Sequence, residues 1–505
     1  MRRSVFLALV IVLGILGRTA LWSMVPVTAD AVYHYSISRF IAQHLRIPSF
    51  EIETGGDPMW YPPLFHTVSA VFYGVLGSEK VTPLFASILS LFAFYILLNR
   101  FYESMLLPGM VLTAFLPTQV YYGAVGFVDC LFLLLAPLVL YCYLRFLERN
   151  DYRFLAASLL LSTACLLTHY HGVIPLLAIS THLFFRNRKA ALAFLLSGLI
   201  LASPWYIRNY ALFGNPIWPV LFDGKYPAHE GYQPSKIADI LSPLRWTTLF
   251  FEYWLGAPSS GEDFAKNVEV AGAYIPYPYA FFALWLAFVI ALSVMTLIGL
   301  ARLLGRDKNR DVLLLFLAFS ALPLLLSSFV RMLAFAFPVF ILGLACFMSE
   351  TNLNRFFAGA LKAVALAGFV VILLSPTFAY AFIYGRIIER YVPFYSMANE
   401  LLPKDAVVCN MMDDVFFDNV ERRIVSVGST PEYRVTQKCI GEYLTDSSGS
   451  AGCFSKLGVN YACCTSLRTP YIGGPVKDFC DAMRHKQAAF DYDSGGAWGG
   501  CWEIK

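Results

Sequence analysis

A chain of 505 residues in which 58% are hydrophobic and 14% carry charge is not a soluble globule, since ordinary soluble domains carry about 25% charged residues. Mean hydropathy is +0.60, and several stretches approach or exceed the ~18–20 apolar residues that cross a bilayer. The formal net charge of +4 is too small, and too evenly spread, for a nucleic-acid partner.

Arg2 and Arg3 precede an apolar run from Ser4 to Gly17, the pattern of a signal peptide. No small-x-small cleavage site follows cleanly, and apolar character resumes from Thr19 to Val27. The segment 4–26 therefore reads as a retained first span, with Arg18 snorkelling or facing a polar cavity. Further apolar segments run over 81–99, 105–123, 130–147, 154–170, 172–185, 190–206, 278–303, 312–330, 333–349 and 356–376. Pieces at 64–77 and 240–256 are too short or too interrupted to span.

With Met1 in the cytoplasm, the inner loops carry Arg100, then Arg145, Arg149 and Arg153, then Arg186, Arg188 and Lys189. Arg302, Arg306, Lys308 and Arg310 follow, and after them Arg355 and Lys362. Short loops rich in Lys and Arg mark the cytoplasmic side, and here all of them fall on one side. The charge pattern predicts a multi-pass cell-membrane protein of about eleven transmembrane helices, N-terminus cytoplasmic and C-terminus extracytoplasmic. Segment 64–77 becomes a juxtamembrane helix, because counting it as a span inverts everything after it.

Loops 27–80 and 205–277 and the tail from 377 then lie outside. The division is a membrane module, 1–376, and an extracytoplasmic domain, 377–505. Past Tyr391 the tail has mixed charge, Gly and Ser clusters, and β-like runs at Ala406–Cys409, Arg423–Val427 and Val459–Cys464. That predicts a small α/β domain of about 110 residues, large enough to fold alone. It holds Cys409, Cys439, Cys453, Cys463, Cys464, Cys480 and Cys501. In an oxidising space these are disulfide cysteines rather than metal ligands, with at least one left unpaired and the connectivity open. No internal repeat is visible.

The polar residues that stand out lie at the expected outer ends of spans. Asp30 opens an amphipathic stretch, Ala31 to Leu45, with Tyr33, Ile37, Phe40 and Ile41 on one side and His34 one turn on. Asp30 is either the N-cap of that helix or a carboxylate held at headgroup level. Asp57 lies just upstream of Tyr61-Pro62-Pro63-Leu64-Phe65-His66, a run stiffened by its two prolines. Asp129, in Gly126-Phe127-Val128-Asp129, either caps the span that begins at Cys130 or serves a site, since acids between apolar helices are costly. His169 and His171 reach the same face. Pro204-Trp205-Tyr206-Ile207-Arg208-Asn209 precedes Gly214-Asn215-Pro216, and Arg331-Met332-Leu333 precedes Pro338. A cation such as Arg331 at a span end either holds a lipid phosphate or snorkels.

In this order, these elements resemble the GT-C superfamily of lipid-phosphate-sugar-dependent glycosyltransferases. The resemblance is closest to the prokaryotic dolichyl-phosphate-mannose protein mannosyltransferase-like branch (glycosyltransferase family 39, ArnT-like), and it covers residues 1 to about 350. It implies a polytopic α-helical GT-C fold with a C-terminal α/β domain, and a donor carried on polyprenyl or dolichyl phosphate. The acceptor hydroxyl is on protein, lipid or glycan, mannosyl transfer to protein being the branch's reaction. Asp30 matches the catalytic acid residue of the first outer loop. The second acid that usually follows is replaced by Ala31, as in relatives of the D-A-x-x-H type. Asp129 matches the second acidic motif by position, which implies aligning the acceptor or binding a divalent metal with Asp30. The Tyr61–His66 run is similar to the family's His/Lys-Pro-Pro-Leu element, with Tyr61 replacing the basic residue. His34, Asp57, Tyr61, His66, His169, His171, Arg208 and Arg331 are the implied substrate-binding residues.

The chemistry is consistent with these residue types. A polyprenyl-phosphate sugar leaves as a phosphate monoester and needs no protonation, so the acid of a glycosidase pair is dispensable. One base, Asp30, suffices, with Arg331, Arg208 or Arg18 steadying the departing phosphate and in-line attack inverting the anomeric centre. The W-W-D-Y-G block of oligosaccharyltransferases is absent. The alternative is a transporter or lipid flippase, which places ionisable residues at the bilayer midplane in broken helices.

Overall fold

The computed structural model describes residues 2–24, 30–48, 59, 61–124, 126–218, 279–320 and 335–350. In the C-terminal part it describes 390–403, 405–410, 423–426, 439–440, 442, 444, 453–454, 458–465, 474–494 and 497–504. The expected span 356–376, the end of 312–330 and the apolar piece 240–256 lie outside the described residues.

The first part is helical: α1 (Arg2–Met24), α2 (Asp30–His44), α3 (Leu64–Leu76), α4 (Val81–Phe101), α5 (Leu106–Phe115), α6 (Pro117–Ala124) and α7 (Cys130–Arg149). Then come α8 (Tyr152–Leu166), α9 (Val173–Arg186), α10 (Arg188–Phe213), α11 (Tyr279–Arg306), α12 (Arg310–Ser320) and α13 (Phe337–Glu350). Among the described residues, Ser4–Met24, Val81–Phe101, Cys130–Arg149 and Arg188–Phe213 are long and apolar enough to cross a membrane. Boundaries follow local chemistry. Asp151 caps α8 by accepting from the Arg153 amide, and Asn187 caps α10 by accepting from Ala190. Helix α7 closes on Asn150 and α10 on Gly214, both left-handed.

The expected single span 105–123 is instead two helices. Leu116 is extended (φ −62°, ψ 123°) between α5 and α6. A residue before proline is pushed out of the helical region, and Pro117 has no N–H to continue the ladder. Elsewhere small residues let helices touch: a Cβ on Gly299 of α11 would lie 1.9 Å from the Gly343 carbonyl of α13. At the far end of α7, Glu148 pairs with Arg145 and with Arg100 of α4, and Arg145 lies over the Phe154 ring.

The C-terminal part carries a five-stranded sheet of order β2-β1-β3-β5-β4. Its strands are β1 (Val407–Asn410), β2 (Arg423–Ser426), β3 (Tyr461–Thr465), β4 (Phe490–Ser494) and β5 (Ala497–Glu503). β1 runs parallel to β2 and β3, and β5 runs antiparallel to β3 and β4. The first three strands lie where the sequence places them; the β4–β5 hairpin is additional. Phe394, Tyr395 and Ala398 of α14 (Val392–Leu401) pack with Val408 and Cys463. A second cluster joins Cys409, Ile440, Phe454 and Trp502 with Phe479 and Met483 of α15 (Gly474–Met483). Disulfides join Cys439 to Cys453, Cys463 to Cys501 and Cys464 to Cys480, and Cys409 is a buried thiol.

Candidate functional site

Two junctions assemble the site. The first is the packing of α2 on α3, the second the turn between α8 and α9. Pro62 and Pro63 start α3 abruptly, and the Leu64 amide donates to the Leu167 carbonyl at the end of α8 (2.9 Å), tying the junctions together. At the second, Gly172 lies so close to α8 that a Cβ there would sit 1.9 Å from the Cys165 carbonyl. The turn is thereby pressed onto the helix end, with His169 extended and His171 following it inward.

The consequence is a line of polar rings. His34 Nδ1 and His66 Nε2 are 3.0 Å apart, one donating and the other accepting. Tyr61 sits edge-on to His34 (4.7 Å between ring centroids) and to His169 (5.2 Å). His169 lies against His171 with the rings tilted by 46° (4.1 Å between centroids), and His171 Nε2 is 3.5 Å from Asp129 Oδ1. All six side chains are buried; Asp129 is 3% exposed and His171 6%. Burial pushes the His66 imidazole down to about 3, with the Pro62 carbonyl pulling the other way, so it is neutral at physiological pH.

Asp129 occupies the N-cap position of α7 but its side chain makes no capping bond. Its Oδ1 and both ring nitrogens of His171 have no hydrogen-bond partner among the described residues. Unmatched polar atoms in a buried setting are expensive and call for a water, ion or substrate.

The remaining predicted residues divide. α2 begins at Asp30 itself, so that Asp30 and His34 stand one turn apart. The Asp30 side chain, Asp57 and Arg331 lie outside the described residues. Arg208 does not join the ring line. It donates to the carbonyls of Pro48 (2.8 Å) and Met59 (3.0 Å) and to Asn209 Oδ1 (2.9 Å), and it stacks over Trp205. Asn209 in turn donates to the Tyr170 hydroxyl, which donates to the Trp218 carbonyl. The Pro204–Asn209 and Gly214–Pro216 block is thus a latch that secures the loop carrying Met59 and Tyr61. Arg18, a candidate phosphate clamp by sequence, is fully buried and bonded to Ser87 and to helix carbonyls. Sequence reasoning missed Tyr35 of α2, whose ring lies where a Cβ on Gly126 would come within 2.5 Å. A glycine three residues before an acid was its only signal. The described residues hold no group of three or more His, Cys, Asp or Glu placed to bind a metal.

No protein-family model and no curated protein matches the chain. Solved structures do. ArnT from Cupriavidus metallidurans in the apo state aligns at 13% identity over 99% of this chain and 98% of that one, TM-score 0.58. The same protein bound to undecaprenyl phosphate aligns at 12% identity over 99% and 97%, TM-score 0.55. The Archaeoglobus fulgidus oligosaccharyltransferase in complex with Zn and sulfate aligns at 14% identity over 90% and 67%, TM-score 0.52. The chain has the fold of these membrane proteins, the GT-C fold expected from its motifs.

Proposed function

We propose that the protein is an integral membrane glycosyltransferase that moves a sugar from a polyprenyl- or dolichyl-phosphate carrier to an acceptor hydroxyl on the extracytoplasmic side. The observation that carries this reading is the buried line from His66 to Asp129, at the end of the bundle where α2 begins with Asp30. The fold supports it, because one structure sharing that fold holds undecaprenyl phosphate.

In this mechanism Asp30 takes the proton of the acceptor hydroxyl as its oxygen attacks the anomeric carbon. The bond from that carbon to the phosphate oxygen breaks, its electron pair leaves with the phosphate, and the configuration inverts. His34, one turn along α2, is fixed by its bond to the neutral His66 and orients the reacting groups. Asp129, backed by His171, aligns the acceptor by accepting from a second donor on it, with a carboxylate atom that no described residue matches. Arg331, which the sequence puts at the outer end of a span, holds the lipid phosphate in this reading. The oxygen donors of Asp30 and Asp129 suit a divalent cation, which would supply further charge stabilisation to the phosphate. Residues 377–505 form the extracytoplasmic domain in this reading, and their disulfides fit an oxidising compartment.

Purified protein given a polyprenyl-phosphate sugar in one arm and the matching nucleotide sugar in the other decides the donor. Transfer is expected only with the lipid-linked sugar. Turnover with the nucleotide sugar alone, in lipid-free detergent, would exclude the reading, and movement of an intact glycolipid across vesicles without transfer would identify a flippase.

A further inference from the structure

Arg18 is a cation sealed inside the helical bundle, and no carboxylate pairs with it among the described residues. Its guanidinium donates four hydrogen bonds: to Ser87 Oγ (2.7 Å), the Gly14 carbonyl (3.2 Å), the Ala114 carbonyl (2.8 Å) and the Thr113 carbonyl (2.7 Å). The last two identify its task. In an unbroken helix the Thr113 carbonyl would accept from the amide of residue 117, but that residue is proline and has none. The break before α6 thus exposes carbonyls where no water is at hand, and such groups must find another donor. Arg18 supplies it from α1, and its charge lies at the negative end of α5. The surroundings are shaped for it: a Cβ on Gly123 would fall 1.9 Å from Ser87 Oγ, and one on Gly14 2.9 Å from the Ala114 Cβ.

What the break controls lies downstream. α6 ends at Ala124, and the chain reaches Asp129 within five residues. Tyr121 and Tyr122 of α6 pack on Phe127 (6.5 and 6.0 Å), and Tyr35, on the helix that carries Asp30 and His34, lies against Gly126. The direction of α6 therefore sets both the approach of Asp129 to His171 and the seat of α2. We propose that Arg18 is a positioning residue: it holds the α5–α6 break open, and the break places Asp129 and α2 for the reaction. Its bearing on turnover rests on the function proposed above; its pairing with the break does not.

The test is an epistasis between Arg18→Met and Pro117→Ala in the full-length protein, read by thermal stability and by kinetics with a polyprenyl-phosphate sugar. Arg18→Met alone is expected to lower Tm. Adding Pro117→Ala supplies the missing amide, so the double variant should recover Tm. Its kcat should stay depressed by roughly tenfold to a hundredfold, the scale of small misplacements of reacting groups, with KM for the lipid donor within about twofold. Arg18→Lys, with the charge but fewer donors, should be intermediate in Tm and kcat. A double variant that fails to regain Tm overturns the pairing with Pro117; one that regains both Tm and wild-type kcat overturns the positioning role. If the wild type transfers no sugar, the proposed function fails, while the Tm comparison still decides whether Arg18 serves the break.

Discussion

The two ends of α7 treat charge differently. At its last turn Glu148 pairs with both Arg145 and Arg100. The Arg100 side chain is 45% exposed and that of Glu148 29%, so water shares the cost of those two charges, while buried Arg145 faces the shared carboxylate. At its start Asp129 is buried beside His171, and both side chains keep atoms with no hydrogen bond among the described residues. One helix thus ends in a partly solvated cluster, in which one carboxylate bonds two guanidinium groups, and begins in a fully buried pair 3.5 Å apart with no hydrogen bond between them. Selection for stability alone would remove the second, because an unmatched buried polar group costs about 1–3 kcal/mol. Under the function proposed above, this pair is where the acceptor is received.

The largest effect that would sharpen this contrast is expected at Asp30. Asp30→Asn keeps size and helix start but removes the base, and turnover should fall to a few per cent of wild type or less with folding intact. Retention of substantially more by the purified variant would remove Asp30 from the base role. Arg331→Ala should come next, losing roughly 2–4 kcal/mol of transition-state stabilisation on the scale of oxyanion-site deletions, with Arg331→Lys restoring part of it. Steady-state kinetics on both variants separates this from a snorkelling residue, for which Ala would cost almost nothing. Asp129→Asn and His171→Gln should each lower kcat by roughly tenfold to a hundredfold. Wild-type turnover in both would mean that the unmatched pair is merely tolerated.

A smaller effect concerns pH. The His66 pKa is depressed from its ordinary value near 6.5 to about 3, so the unfolded chain binds the proton that the folded one refuses. Its contribution to stability is therefore complete above about 6.5 and is lost as pH falls toward 3. Thermal unfolding in detergent should show Tm falling through that window, and His66→Gln should flatten the slope; an unchanged slope would place the titration elsewhere. The smallest effect belongs to the opposite end of α7. Glu148→Gln breaks only the pairs with Arg100 and Arg145, far from the ring line, and both kcat and KM should stay at wild-type values.

Much of this was legible in the sequence because the membrane makes hydropathy and charge unusually informative. The long spans at Val81–Phe101 and Cys130–Arg149, the three strands read from β-branched runs, and the odd cysteine among seven all follow from local composition. Tyr61, His66, His169, His171 and Asp129, picked out by the family resemblance and by their place at the expected span ends, are the residues that the fold brings into one line. What failed was anything depending on partners far along the chain. Hydropathy averaged over a span-length window does not show that Pro117 divides 105–123, although the proline, followed by Thr118 and Gln119, was the available cue. Nor can it show that Arg18 and Arg208 each reach backbone carbonyls of other segments, Thr113 and Ala114 for the first and Pro48 and Met59 for the second. The β4–β5 hairpin did leave a signal: Gly495-Gly496 stands between two β-like runs, and Ser494 pairs with Ala497.

The central claim is that a lipid-linked sugar reaches the Asp129 end of α7 and not the Arg149 end. Reconstituted protein labelled with a photoreactive polyprenyl-phosphate sugar analogue, then digested and mapped, reads this directly. The expected adducts fall within 59–66, 126–132 or 169–173, and an excess of unlabelled polyprenyl phosphate removes them. Adducts confined to the helix end around Arg145–Arg149 and Arg100, or an even scatter along all exposed apolar faces, would contradict the account.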